Sequence, residues 1–216
     1  MNKILIIFLL FLFVCPFVFG DVNVLQGYKQ QFSRVDLPAK VNVLNNAVSD
    51  SELNESVVLF YEYALNFALG NSEVLKNDPD MINIINTAIS GLQNTAKIKD
   101  NDSLLDVLWK LLLEYPDSVV GAEILITIGR QGSGNSETVS KINDFLFNRN
   151  IQFRSGESVN YSVISACITA IMEMDDSSSY PVLFQVMCFG YPEVIAFEAY
   201  GAMELISGDL KQFCLM

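Results

Sequence analysis

From residue 37 onward, apolar residues recur at intervals of three and four over segments of about 12 to 18 residues, separated by Asn, Asp, Ser, Gly and Pro. Runs of alternating or β-branched residues that would mark strands are nearly absent there. The pattern predicts helices over about 38–48, 53–69, 80–95, 103–115, 118–130, 136–150, 159–174, 179–190 and 193–206, with a short one from 209. The chain therefore reads as all-α. Residues 21–36, with Gly27, Gln30 and Gln31, show no clear period and are expected to form an extended lead-in or a cap. The end, Phe213-Cys214-Leu215-Met216, is apolar and reads as a last helix folded over what precedes it.

The breaks between helices recur. Pro79-Asp80, Pro116-Asp117 and Pro192-Glu193 are 37 and 76 residues apart, and each is expected to open a helix with proline at the cap and an acid in the first turn. The second spacing is about twice the first, so a further member belongs near residue 154, where Phe153-Arg154 stands instead. A period of about 38 residues built from two helices marks a stacked array. The finer pattern keeps this register. Ile195, Ala199, Ala202 and Ile206 fall at i, i+4, i+7 and i+11, as do Val163, Cys167, Ala170 and Met174. Related stripes run through Val119, Ala122, Ile126 and Gly129, and through Ile82, Ile85, Ile89 and Leu92. Small residues in mid-stripe allow close helix approach. Ser103 to Asp117 also aligns without gaps on Ser179 to Glu193, sharing the serine and the Tyr-Pro pair.

Ala170 to Ile206, AIMEMDDSSSYPVLFQVMCFGYPEVIAFEAYGAMELI, resembles a HEAT repeat: an acid-and-serine turn, a Pro-Val-Leu helix start, a Pro-acid turn, then a helix with alanines on its buried face. Residues 103–150 resemble the family less closely. The Arg that commonly follows the Pro-acid turn in the family is missing, with Ile195 or Val119 near its place. The resemblance implies an armadillo-type, right-handed α-α superhelix, a HEAT-like solenoid of about four helical pairs over residues 37–216. It also implies a protein-binding scaffold.

Met1-Asn2-Lys3, the apolar run from Ile4 to Val14, and Val18-Phe19-Gly20 together read as a secretory signal peptide over residues 1–20, cleaved after Gly20. Export to a bacterial periplasm or beyond the cell is the consequence. As an uncleaved anchor the stretch from Ile4 to Phe19 is short of the roughly 20 apolar residues that span hydrocarbon, and Pro16 interrupts it. Leu12-Phe13-Val14-Cys15 is a further reading, as a lipobox with Cys15 lipidated, although Val14 and Pro16 suit that processing poorly. Membrane association is expected only through one of these two routes. Three cysteines remain beyond it, Cys167, Cys188 and Cys214, an odd and sparse count that argues against a disulfide framework. One bridge between Cys167 and Cys188 is conceivable if their helices lie side by side; buried free thiols are the plainer state.

The formal net charge of -12 disfavours nucleic acid, since binding to phosphates rests on cations. It points instead to a basic partner or docking patch. With no histidine, imidazole-based acid–base and nucleophilic mechanisms and the usual nitrogen ligand of zinc are gone. Gly129-Arg130-Gln131-Gly132-Ser133-Gly134-Asn135 lacks the Lys-Ser/Thr of a phosphate-binding loop and follows a helix, so it reads as a helix end with Asn135 or Ser136 capping the next. The pairs Asp78/Asp80, Asp100/Asp102 and Asp175/Asp176 miss the spacing of a calcium loop and read as caps. No catalytic residue, metal or cofactor is expected.

Asn148 to Gly156 departs from the compact Pro-acid turn and reads as a loop of about eight residues. It places Arg149 and Arg154 beside Phe153, a combination enriched at interface hot spots, with Tyr161 at the next helix start. These four residues are the candidate partner-binding edge. The same run also reads as a solvated insertion whose arginines cap carbonyls or pair with local acids. Trp109, beside Leu105, Leu108 and Leu112 at helical spacing, is expected in the core, as are Phe60, Tyr61 and Tyr63 with an aromatic edge. The chain thus reads as an exported, non-enzymatic protein-interaction scaffold. A lipid-anchored or membrane-associated envelope protein is one alternative; a carboxylate-based enzyme or small-ligand binder, needing a deep pocket with convergent acids, is another.

Overall fold

Helix starts in this chain are set by short polar side chains that accept the first free backbone N–H groups. Asp78 accepts from the N–H groups of Asp80 (2.9 Å) and Met81 (3.4 Å), Ser118 from Gly121 (3.1 Å), Asn135 from Glu137 and Thr138 (3.0 and 3.1 Å), and Asn160 from Ser162 (3.0 Å). A computed structural model of the chain describes residues 24–206 other than 51, 54, 55 and 97–100. The elements are α1 (24–34), α2 (Leu37–Val48), α3 (Val57–Gly70), α4 (Ser72–Leu75), α5 (Pro79–Gln93), α6 (Asp102–Glu114), α7 (Val119–Gly132), α8 (Ser136–Arg154), α9 (Tyr161–Met174), a 3-10 turn at Ser177–Ser179, α10 (Tyr180–Cys188) and α11 (Glu193–Ile206). The described residues are all-helical, with no strand. None of these helices is long and apolar enough to cross a membrane. The signal-peptide reading of residues 1–20, the lipobox cysteine Cys15, Asp100, Cys214 and the terminal helix expected from 209 fall outside the described residues.

The described residues divide into two compact units, one ending at Thr95 and one beginning at Ala96. In the first, α5 turns Met81, Ile84, Ile85, Ala88, Ile89 and Leu92 inward against α2 and α3. Residues 24–34 are helical, which corrects the expectation of an extended lead-in there. Leu25 and Phe32, one face of α1, are buried; the glycine and glutamines that obscured the period lie between them. Phe32 meets Phe60, Tyr63 and Phe67 edge-on at 5.4–5.9 Å, so the aromatic residues of α3 do belong to a core. Lys40 closes the end of α1. Its buried ammonium donates to the carbonyls of Phe32 and Val35 and lies 4.5 and 4.8 Å from the Phe32 and Phe67 ring centres. Those partners keep a buried cation solvated by carbonyls and ring faces, while burial itself lowers its pKa.

The second unit consists of three successive pairs of contacting helices, α6 with α7, α8 with α9, and α10 with α11. Across pairs, α7 packs on α9, α9 on α11 and α8 on α10. The stripes of α9 (Val163, Cys167, Ala170, Met174) and α11 (Ile195, Ala199, Ala202, Ile206) are buried as read. That of α7 is rotated. Val119 is exposed and Ile126 half-buried, while Ile124, Leu125 and Ile128 form the core with Ala122 and Gly129. The reason is the start of the helix. Pro116 and Asp117 stand before the capping Ser118, in the turn and not in the first helical turn. By contrast, Pro79 does begin α5, and Glu193 lies in the first turn of α11.

Both described cysteines are free, Cys167 buried on α9 and Cys188 exposed at the end of α10. Burial pushes the Cys167 thiol up to about 12, with Arg149 opposing. Only about one Cys167 thiol in 10,000 is then ionised at pH 8, and the thiolate is the reactive form. Iodoacetamide at pH 8 is therefore expected to modify Cys188 and to spare Cys167 until the fold is opened by denaturant, as read by peptide mass spectrometry. Equal labelling of the two in the native protein would contradict this packing.

Candidate functional site

The connections within the three helix pairs of the second unit are tied along one edge: Asn160, before α9, and Arg149, near the end of α8, bond to the turn before α7, and Tyr191, in the turn before α11, bonds to the end of α8. The run Asn148 to Arg154 is not a loop. It is the last two turns of α8, and the connection is the shorter stretch Ser155 to Asn160. The helix continues because Ile142, Leu146 and Asn150 form one buried face at i, i+4 and i+8. An asparagine in that stripe hides it from an apolar count.

Asn150 is fully buried and satisfied. Its Nδ2 donates to the Val182 carbonyl at 3.1 Å and to Gln185 Oε1 at 3.4 Å, and its Oδ1 accepts from the Tyr191 hydroxyl at 3.1 Å. Tyr191, in the turn before α11, also reaches the Arg149 carbonyl at 3.4 Å. Burial, with lesser contributions from Cys167 and Tyr161, raises its pKa well above that of a free tyrosine, so the phenol remains a donor. The Tyr191 ring stacks on Phe153 with centres 3.9 Å apart and planes at 16°, and Tyr161 meets both edge-on at 6.3 Å.

Arg149 turns inward. Its Nη2 pairs with Asp117 at 3.0 Å and donates to the Pro116 carbonyl at 3.4 Å, its Nη1 donates to Gln152 at 2.9 Å, and it lies over the Phe145 ring. Asn160 Nδ2 donates to the Asp117 carbonyl at 3.0 Å, fixing the same turn to the start of α9. Of the four residues singled out from the sequence, Phe153 and Tyr161 therefore join one aromatic cluster with Tyr191, and Arg149 ties two turns together. Arg154 is exposed, its guanidinium 5.1 Å from the Phe189 ring centre. Exposed along the edge are Tyr161, Arg154, Val119 and Val194, beside Asp117, Glu157 and Glu193.

Asp117, Asn150, Asn160 and Tyr191 were missed in the sequence. A signal for Tyr191 was present: Tyr115-Pro116 and Tyr191-Pro192 occupy equivalent places in the aligned segments, and both tyrosines are buried. Trp109, expected in the core, is only half-buried, and its indole N–H is buried without a hydrogen-bond partner. It lines a cleft of about 330 Å³ with Asp102, Asp106, Glu137 and Lys141, in which Lys141 pairs with Glu137 and Lys110 with Asp106. Asp78, Asn135 and Asp176 act as caps, and Asp175 ends α9 in a left-handed conformation. Among the described residues no group of three or more acids or cysteines is placed to hold a metal ion. No protein-family model, curated protein or solved structure matches the chain.

Proposed function

We propose that this chain is an exported, non-enzymatic protein-interaction scaffold whose second unit is a short HEAT-like right-handed α-α solenoid. One observation carries the reading: three successive helix pairs whose second helices touch in order, with the turns before α7 and α11 both bonded to the end of α8. Such stacking leaves each pair dependent on its neighbours for a core and presents repeated turns side by side. The turn edge is rigid, because Arg149, Asn150 and Tyr191 are occupied in holding it, and it exposes an aromatic ring, a guanidinium and two valines among the acids Asp117, Glu157 and Glu193. Rigid aromatic and arginine side chains are the usual anchors of protein interfaces. The partner's docking patch is basic, in keeping with the net charge of -12.

The test follows from which side chains are free. Arg154→Ala combined with Tyr161→Ala is expected to weaken capture of the partner from the native envelope fraction about tenfold or more, while the lost ring contacts cost only about 1 kcal/mol of stability. Capture at the wild-type level would sink the assignment of this edge.

A further inference from the structure

The first unit carries a cleft of about 580 Å³ between the end of α2, the start of α3 and one face of α5. Its lining is Asn45, Val48, Val57, Tyr61 and, from α5 and its end, Asn86, Thr87, Ser90, Gly91, Asn94 and Thr95. No charged side chain is among these described residues, on a chain of 25 acids and 13 bases. Tyr61 is 1% exposed, yet it lines the cleft and its hydroxyl has no hydrogen-bond partner among the described residues. Gly91 makes room for it. A Cβ at Gly91 would stand 2.3 Å from Tyr61 Cζ and 2.6 Å from its oxygen, so any other residue would displace the ring end. Burial raises the pKa of this phenol, which keeps the proton on the oxygen as a donor.

We propose that this cleft binds a neutral saccharide, with the Tyr61 hydroxyl at its floor and the side-chain amides of Asn45 and Asn86 on its walls. The amides of Asn45 and Asn86 are exposed and make no hydrogen bond to described residues. Asn94 donates to the Ser90 carbonyl and so presents its oxygen. A side-chain amide donates and accepts at once, as does each member of a vicinal diol, so the two match without charge. A carboxylate, phosphate or ammonium ligand would find no counter-ion among the described lining residues. The volume falls within the roughly 300–1,000 Å³ of small-molecule sites. Val48 and Val57 supply apolar wall for the C–H face of a sugar ring.

This site lies outside the proposed interaction edge and does not depend on it. The test is calorimetric titration of the full chain with cellobiose, maltose and N,N′-diacetylchitobiose, beside a neutral blocked peptide, acetyl-(Ala-Gly)3-amide. At least one disaccharide is expected to bind with a Kd of about 1 mM or tighter. Tyr61→Phe and, separately, Asn86→Ala are each expected to weaken it about fivefold or more, since each removes a hydrogen bond while keeping the fold. Asn86 is an exposed residue, so its variant remains informative if Tyr61→Phe disturbs the core. Affinity that rises from di- to tetrasaccharide would mark a polymer as the source, and equal affinity a free sugar. Absence of binding at about 20 mM of all three sugars, binding untouched by both variants, or binding of the peptide alone would overturn the proposal.

Discussion

Gly129→Ala is expected to destabilise the second unit by about 2–3 kcal/mol, roughly a 10 °C fall in its melting temperature, whereas Gly201→Ala raises stability by about 0.5–1 kcal/mol. Both glycines lie inside helices, where alanine is intrinsically the better residue. The difference is what each methyl would meet. At Gly201 there is nothing within 4 Å; at Gly129 the added Cβ falls 2.4 Å from Ala170 Cα and 2.6 Å from the Ala170 carbonyl oxygen. Backbone cannot swing aside as a side chain can, so α7 and α9 would have to separate along their whole contact. Thermal unfolding of the two variants checks the pair of signs. A stabilised Gly129→Ala protein would mean that α7 and α9 do not approach as closely as described.

Asn150→Leu is the second large effect, and its sign separates two accounts of α8. If the stripe Ile142–Leu146–Asn150 needed only apolar volume, leucine would improve it. The hydrogen bonds say otherwise. The substitution leaves the Tyr191 hydroxyl only its longer bond to the Arg149 carbonyl and removes the amide donor from the Val182 carbonyl and Gln185, at about 1–3 kcal/mol for each buried group left under-satisfied and with only partial recovery from the buried leucine. A net loss of about 2–3 kcal/mol is expected in denaturant unfolding. Adding Tyr191→Phe to Asn150→Leu removes the hydroxyl left with one long bond and is expected to recover about 1 kcal/mol of it. A more stable Asn150→Leu protein, or no recovery in the double variant, would contradict this network.

Helices were legible wherever a core face is unbroken by polar residues. The stripes of α9 and α11, the proline at the start of α5 and the caps at Asp78 and Asn135 follow from local spacing alone. Reading failed where one core position is polar. Asn150 interrupts the apolar stripe of α8, so the pattern stops four residues before the helix does and its last two turns read as a loop. Gly27, Gln30 and Gln31 likewise hid α1, whose buried Leu25 and Phe32 are seven residues apart. Pro116-Asp117 resembles Pro79-Asp80 in sequence, but Ser118 provides the cap of α7, and the buried face of that helix is rotated from the one the Pro-acid register implies.

The candidate edge was half legible. Arg149, Phe153, Arg154 and Tyr161 do lie at one end of the helix pairs, as their place between two helices implied. Their division of labour was not, since it depends on Asp117 and Tyr191, which are distant in sequence and adjacent only once the pairs stack. The cleft of the first unit had no sequence signal, because asparagines on the outer face of a helix look like any solvated surface.

The most direct test of the scaffold reading is site-specific photo-crosslinking in the native host, with a photoreactive residue at Tyr161, at Arg154, or at Asn66 as an exposed control in the first unit. The account predicts one discrete crosslinked protein at Tyr161 and Arg154 and none at Asn66. No adduct at the two edge positions, or the same adducts at all three, would contradict it.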